Sequence, residues 1–276
     1  MNNIKIIKSL GKGAHSDVFL SKDKVTGFIF AIKRVKKQEI IEIGMEEQFI
    51  QEIKIHMQLN HPNIVKLYGY IADQEYFYLL IEYCQGISLK QYVNKQSSKY
   101  LQEYEAAFYL NQVAEALLYL HKQNILHRDL KLENLMIFDG IIKLIDFGYS
   151  RKCDIFETRN TFCGTLDYLS PEIVNGEDYN CSVDIWAFGI LSYMLLQGVS
   201  PFYKESQDGT IENILKGQFY FQRKISNEGQ AFVSKLLNSK QEERINIKEC
   251  LQQSWLKKFG KEIINLEICQ QINNIL

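Results

Sequence analysis

The chain has 276 residues, 46% of them hydrophobic and 24% charged, enough to bury the core of one large domain or of two lobes sharing a cleft. Its 32 Lys and Arg nearly balance 33 Asp and Glu, so no overall basic field draws it to nucleic acid or to an anionic membrane. Six cysteines, at 84, 153, 163, 181, 250 and 269, form no Cys-x-x-Cys pair and no ligand-like spacing with the five histidines, which argues against a zinc site and for reduced thiols in the cytosol or nucleus.

The first residues, "MNNIKIIKSL", are too short and too interrupted by lysine to be a signal peptide. From Ile4 to about Val35, apolar and polar residues alternate, broken by Gly11, Gly13 and Gly27, which predicts three short antiparallel strands joined by glycine turns. Lys37 to Leu59 contains no proline and places Met45, Phe49, Ile53 and Met57 four apart, predicting one helix with an apolar stripe. "HPNIVKLYGY" and "YFYLLIEYC" supply two more strands. Beyond Gly86 the character changes: Tyr104 to Gln123 reads as an amphipathic helix, Ile125 to Gly148 as a hairpin, and the chain from Ser182 onward as mainly helical. "IWAFGILSYMLL", Ile185 to Leu196, falls short of the roughly 20 residues needed to cross a bilayer and predicts a helix buried inside the protein. These elements describe an α+β protein: a small β-rich lobe at about 1–83, a hinge at about 82–86, a larger helical lobe at about 87–259 and a helical tail at 260–276.

The segment Ile125 to Gly148 sets Asp129, Lys131, Asn134 and Asp146 among isoleucines and leucines. Turns account for the Asp139-Gly140 pair. They do not account for the other four, because a charge beside buried apolar strands costs several kcal/mol unless it meets a partner, a metal or a ligand. Near the start, "LGKGAHSDV" matches a glycine-rich loop over nucleotide phosphates, with Ser16 where a third glycine would stand; ordinary strand turns share this spacing. Backbone amides at Gly11 and Gly13 can approach a phosphate closely because no side chain intervenes. "FAIK" ends a strand with Lys33, and Ala31 before it leaves room for a flat base. A lone strand lysine is usually solvated, but Glu52 on the following helix is placed to orient its ammonium toward phosphates.

Taken in order, "GKGAHS", "AIK", "HRDLKLEN", "DFG", "SPE" and "DIWAFG" resemble a eukaryotic protein kinase from about Ile4 to Phe259. The resemblance implies the bilobal kinase fold, with ATP and Mg²⁺ as cofactors and protein substrates as partners. Asp129 would be the catalytic base, Lys131 would stabilise the transferring phosphoryl group, and Asn134 and Asp146 would hold Mg²⁺, compensating the charge that the loop collects. Leu10, Val18, Ala31 and Met136 would sandwich the adenine, Ile81 would be the gatekeeper, and Glu82 and Cys84 the hinge. His56, Leu67, His127 and Phe147 match stacked spine positions, Glu172 and Arg244 a buried ion pair, and Asp184 the anchor of the catalytic-loop backbone.

"KLEN" and Thr165 in "CGTLDYLSPE" resemble serine/threonine kinases, "TFCGTLDYLSPE" is Aurora-like, and "EIKIHMQLNHPNIVKLYGY" is also similar to polo-like kinases of the centriole-duplication branch. No polo-box region is expected in the short tail. Ser170 for the alanine of "APE" joins Ser16 as a mild departure. The rival readings are a pseudokinase scaffold and a small-molecule phosphotransferase. Regulation is expected at Thr161, with Arg128 and Arg151 as a cationic pocket and Arg159 favouring autophosphorylation in trans. Glu133 stands where basophilic relatives meet an arginine, Met194 where many carry a second acid, and Tyr149 is a residue type associated with serine over threonine. No nucleic-acid or membrane partner is expected, and the location implied is cytoplasmic or nuclear.

Overall fold

Alternation becomes strand in the computed structural model, which describes residues 3–13, 16–42, 44–148, 150–152 and 166–259. The chain divides into two units, Met1–Gln85 and Gly86–Leu276. In the first, β1 (Ile4–Lys12), β2 (Ser16–Asp23), β3 (Ile29–Lys36), β4 (Leu67–Ala72) and β5 (Tyr76–Ile81) form an antiparallel sheet of order β1-β2-β3-β5-β4. The turn between β2 and β3 is closed by Asp23, whose Oδ1 accepts hydrogen bonds from the backbone N–H of Val25 and Thr26.

Directly paired residues of an antiparallel ladder point to one face, and every second residue returns to it. One face therefore carries Ala31, Lys33 and Val35 of β3 with Leu79 and Ile81 of β5. Val35, Leu67 and Leu79 pack there against Ile40 of α1 (Lys37–Glu42) and Phe49 and Ile53 of α2 (Glu46–Gln58). The opposite face buries Phe30, Ile32 and Tyr78.

The single helix expected from Lys37 to Leu59 is two helices. Gly44 stands between them at φ +65°, a left-handed conformation that breaks α-helical continuity and costs glycine little. The apolar stripe also ends early: Phe49 and Ile53 are buried, but Met57 is 49% exposed. Four-residue spacing at about 100° per residue drifts, so Met57 lies about 120° around the helix from Met45.

The second unit begins with β6 (Ile87–Ser88), followed by α3 (Leu89–Lys95) and α4 (Glu103–His121). Ser88 and Gln91 form a reciprocal capping box at the start of α3. Helix α4 buries Ala106, Tyr109, Leu110, Val113, Leu117 and Leu120 among others. The apolar run Ile185 to Leu196 lies within α6 (Ser182–Gln197), which follows β7 (Ile125–Leu126), β8 (Leu135–Phe138), β9 (Ile141–Leu144), β10 (Arg151–Lys152) and α5 (Pro171–Val174). Apolar on all sides, α6 is buried along almost its whole length. Short helices α7 (Gln207–Lys216), α8 (Asn227–Leu236), α9 (Ile247–Cys250) and α10 (Ser254–Phe259) complete the unit. No helix among the described residues is long and apolar enough to cross a membrane.

The hairpin expected over Ile125 to Gly148 occupies only its second half, β8 and β9 about a turn at Asp139 and Gly140, both at positive φ. The first half leaves β7 as a loop and a 3-10 turn, Leu132–Asn134, because its polar groups bond to side chains rather than to a strand ladder. The tail helix expected at 260–276 lies outside the described residues, as do Tyr149, Arg159, Thr161 and Thr165.

Gly86 has no room for a side chain: a β-carbon there would lie 1.8 Å from the carbonyl oxygen of Ile137 in β8. Gly86→Ala is expected to destabilise by about 2 kcal/mol or more, since backbone rather than a flexible side chain must yield. Gly69→Ala, which meets nothing within 4 Å, serves as control and should hold its urea midpoint.

Candidate active site

Asp129 is 6% exposed on the loop after β7. Its carboxylate accepts from Lys131 Nζ, at 2.9 Å to Oδ1 and 2.8 Å to Oδ2, and from Asn134 Nδ2, at 2.7 Å to Oδ2. Asn134 Nδ2 also donates to the Asp129 carbonyl at 2.9 Å. The loop is thus tied to itself through three of the residues that the sequence singles out. A backbone bond from Ile145 N–H to Asn134 O, 2.9 Å, brings in the segment that carries Asp146.

The loop is also tied to α6. Asp184, fully buried in the first turn of α6, accepts the backbone N–H of His127 through Oδ2 and that of Arg128 through Oδ1, each at 2.9 Å. His121 Nε2 lies 2.9 Å from the same Oδ2. Burial by itself would raise the Asp184 carboxyl, but these donors, the His121 ring first, outweigh it and hold it below the usual carboxylate range. Arg128 and Asp146 both adopt positive φ, 63° and 65°. Such conformations cost about 1 to 3 kcal/mol each in non-glycine residues and persist where the surroundings over-determine them. The bond from Arg128 N–H to Asp184 is one such determinant.

Behind the loop, the His127 and Phe147 rings meet edge to face with centroids 5.1 Å apart. Asp129 N–H donates to His127 Nδ1 at 3.3 Å, which makes Nδ1 the unprotonated nitrogen, and burial pushes the imidazole down, keeping it neutral. In the first unit, His56 Nε2 lies 2.8 Å from the Val65 carbonyl, and Leu67 packs on the α2 face of the sheet.

The nucleotide-contact candidates of the first unit fall into register. Gly11 pairs with Val18, Val18 with Lys33, and Ala31 with Ile81, so Val18, Ala31, Lys33 and Ile81 share one face. Leu10 stands at a bulge of β1, 40% exposed. Gly11 has open space where a side chain would be, and Gly13 N–H donates to Ser16 O at 2.6 Å. Glu52 is buried on α2, the helix packed over the face that carries Lys33. Glu82 N–H donates to Lys66 O, 2.8 Å, so it is not a donor for a base. Cys84 and, in the second unit, Met136 are half-buried.

Glu172 and Arg244 form a bidentate pair, Nη1–Oε1 2.6 Å and Nη2–Oε2 3.0 Å, with both side chains out of water. Arg244 also donates to the carbonyls of Ser182 and Asn238. Sequence reasoning missed three partners of the loop: His121 on Asp184, Tyr168, whose hydroxyl accepts from Leu132 N–H at 3.3 Å, and Tyr179, whose hydroxyl accepts from Arg128 Nη1 at 3.1 Å. A histidine in the last turn of a helix, just before a polar loop, was the one available signal.

The profile of the protein kinase domain matches residues 4–256. The chain belongs to the protein kinase family. It is 40% identical over 257 residues to an Aurora kinase of Eremothecium gossypii, covering 93% of this chain and 70% of that protein. An Aurora kinase of Saccharomyces cerevisiae is 38% identical over 263 residues, 93% of this chain and 70% of its own length. Aurora kinase B of Mus musculus is 36% identical over 265 residues, 96% and 76%. The chain is accordingly an ATP-dependent protein serine/threonine kinase of α+β fold.

In this kinase, Asp184→Asn replaces one acceptor by an amide donor facing a backbone N–H. Turnover is expected to fall about ten- to a hundredfold, the scale of a misplaced catalytic group, with KM for ATP nearly unchanged in steady-state kinetics.

Proposed function

We propose that phosphoryl transfer to a serine or threonine hydroxyl of a protein uses Asp129 as the base that accepts or orients the hydroxyl proton, with Lys131 stabilising the charge on the group in flight. Lys33, oriented by Glu52, aligns the phosphates, and Gly11 and Gly13, which carry no side chains, let the backbone of the loop approach them. Leu10, Val18, Ala31 and Met136 flank the adenine, beside Ile81, Glu82 and Cys84. The observation that carries this reading is the Asp129 carboxylate, clamped by Lys131 and Asn134 on a loop anchored to Asp184.

Asn134 and Asp146 fit a magnesium ion. The Asn134 NH₂ group is turned to Asp129, so its amide oxygen is the atom it presents elsewhere, and Asp146 adds a carboxylate. Among the described residues no group of three or more His, Cys, Asp or Glu is placed to hold a metal; Mg²⁺ characteristically takes one or two protein oxygens and completes its shell with phosphates and water. Its chemistry, when bound, is neutralisation of the phosphate charge. No observation favours a scaffold without catalysis.

The kinase domain would span 1–259, with a hinge at about 82–86, acting in the cytosol or nucleus. Cys250 is a buried free thiol, in keeping with a reducing compartment. Glu133 meets an arginine before the phosphoacceptor, giving a modest basic preference. Thr161 is the activating phosphorylation site, with Arg128 and Arg151 as its cationic partners.

Lys33→Met and Asp146→Asn are expected to lower turnover at least about a hundredfold without unfolding the protein, since both remove a charge that acts on phosphates or metal. Wild-type rates at saturating ATP and Mg²⁺ would refute the assignment. After phosphatase treatment and incubation with ATP, wild type should regain activity while Thr161→Ala and Arg128→Ala do not. Equal rates for phosphorylated and dephosphorylated wild type would remove the switch.

A further inference from the structure

Lys90 is the second residue of α3, and its ammonium lies 3.8 Å from Glu133 Oε1, in the 3-10 turn that follows Lys131. Both side chains stay in contact with water, 38% and 48% exposed. A second carboxylate stands near, Asp167 in the 3-10 turn Leu166–Tyr168. Burial pushes the Asp167 carboxyl up, Lys90 draws it down, and Glu133 pushes it up again, so Asp167 lies within the field of both members of the pair.

We infer that Lys90 is a specificity-determining residue: an internal cation that occupies Glu133 and that a substrate arginine must displace. The inference rests on the proposed role of Glu133 toward arginine. An exposed lysine pair is held weakly, because water screens the attraction and ordering the long side chain costs entropy. A guanidinium offers two parallel donors to one carboxylate, where an ammonium offers a point charge. Arginine therefore wins the contact, with its advantage reduced by what the Lys90 pair was worth. The two carboxylates and one lysine leave one net negative charge, so one substrate cation satisfies the locus. Lys90 thus sets how basic a peptide must be, without touching the reacting atoms.

The test uses two peptides that differ only by arginine or alanine two or three residues before the phosphoacceptor, and reads the ratio of their kcat/KM values. Lys90→Met keeps the stem and removes the charge; it should raise the ratio about two- to fivefold, the worth of an exposed pair, and leave the alanine peptide's rate unchanged. Glu133→Gln should bring the ratio toward one, and adding Lys90→Met to it should change nothing more. The gain should shrink as salt rises from about 50 mM to about 300 mM. If Glu133→Gln lowers the ratio and Lys90→Met leaves it unmoved, Lys90 has no such role, although Glu133 does. If Glu133→Gln leaves the ratio at its wild-type value, the docking role fails and the inference with it. An equal gain in single and double variants would show Lys90 acting without Glu133, which also overturns it.

Discussion

A carboxylate without water must find its donors inside the protein, and Asp184 finds them in two backbone N–H groups and a histidine ring. Those N–H groups belong to residues just before Asp129, on a loop that makes no strand ladder of its own there. Without such an acceptor, a buried and a half-buried amide would lose their partner and Arg128 would have less to hold it at positive φ. The bonds to Lys131 and Asn134 then fix the direction of the Asp129 carboxylate, but only because the backbone beneath it is already set. Helix α6 supplies the rigidity: surrounded by side chains on every face, it has no solvent side on which to shift.

The electrostatics follow the same hierarchy. Asp184 titrates below its ordinary value of 3.8, so the stability it confers is fully present above that value and is lost only as pH falls through the lower, folded one. His127 is displaced the opposite way for its type, neutral through burial, which lets it serve as an aromatic plate against Phe147 rather than as a charge. Asp184 and His127 thus do different jobs because the carboxylate faces donors and the imidazole packs on the ring of Phe147.

How much of this was legible depended on the range of the interaction. The strands around Val18 and Ala31 announced themselves by alternation, and the buried helix by an unbroken apolar run, since both are local patterns. The density of charged and amide groups at 129, 131, 134 and 146 pointed to the candidate site because an unpaired polar group is expensive to bury wherever it lies. The break at Gly44 went unread because one glycine within a helical pattern is often tolerated. Met57 was misplaced because a spacing of four only approximates the helical turn. The hydroxyls of Tyr168 and Tyr179 could not be anticipated: their partners lie 36 and 51 residues away, and no periodicity links a tyrosine to a distant donor. Asp184 was placed by resemblance; nothing in its neighbourhood says that it reaches back 57 residues.

Arg244 and Glu172, 72 positions apart, carry a different lesson, about history rather than catalysis. Removing either partner strands the other as a buried charge, at a cost of about 3 to 5 kcal/mol, comparable to much of a domain's stability. Replacing both by well-packed apolar residues is often neutral or better. The uncharged alternative is therefore accessible as an endpoint but not by single steps, since each intermediate sequence passes through a poorly folded protein. A lineage holding this pair is confined to it by the route out, whatever the pair itself contributes.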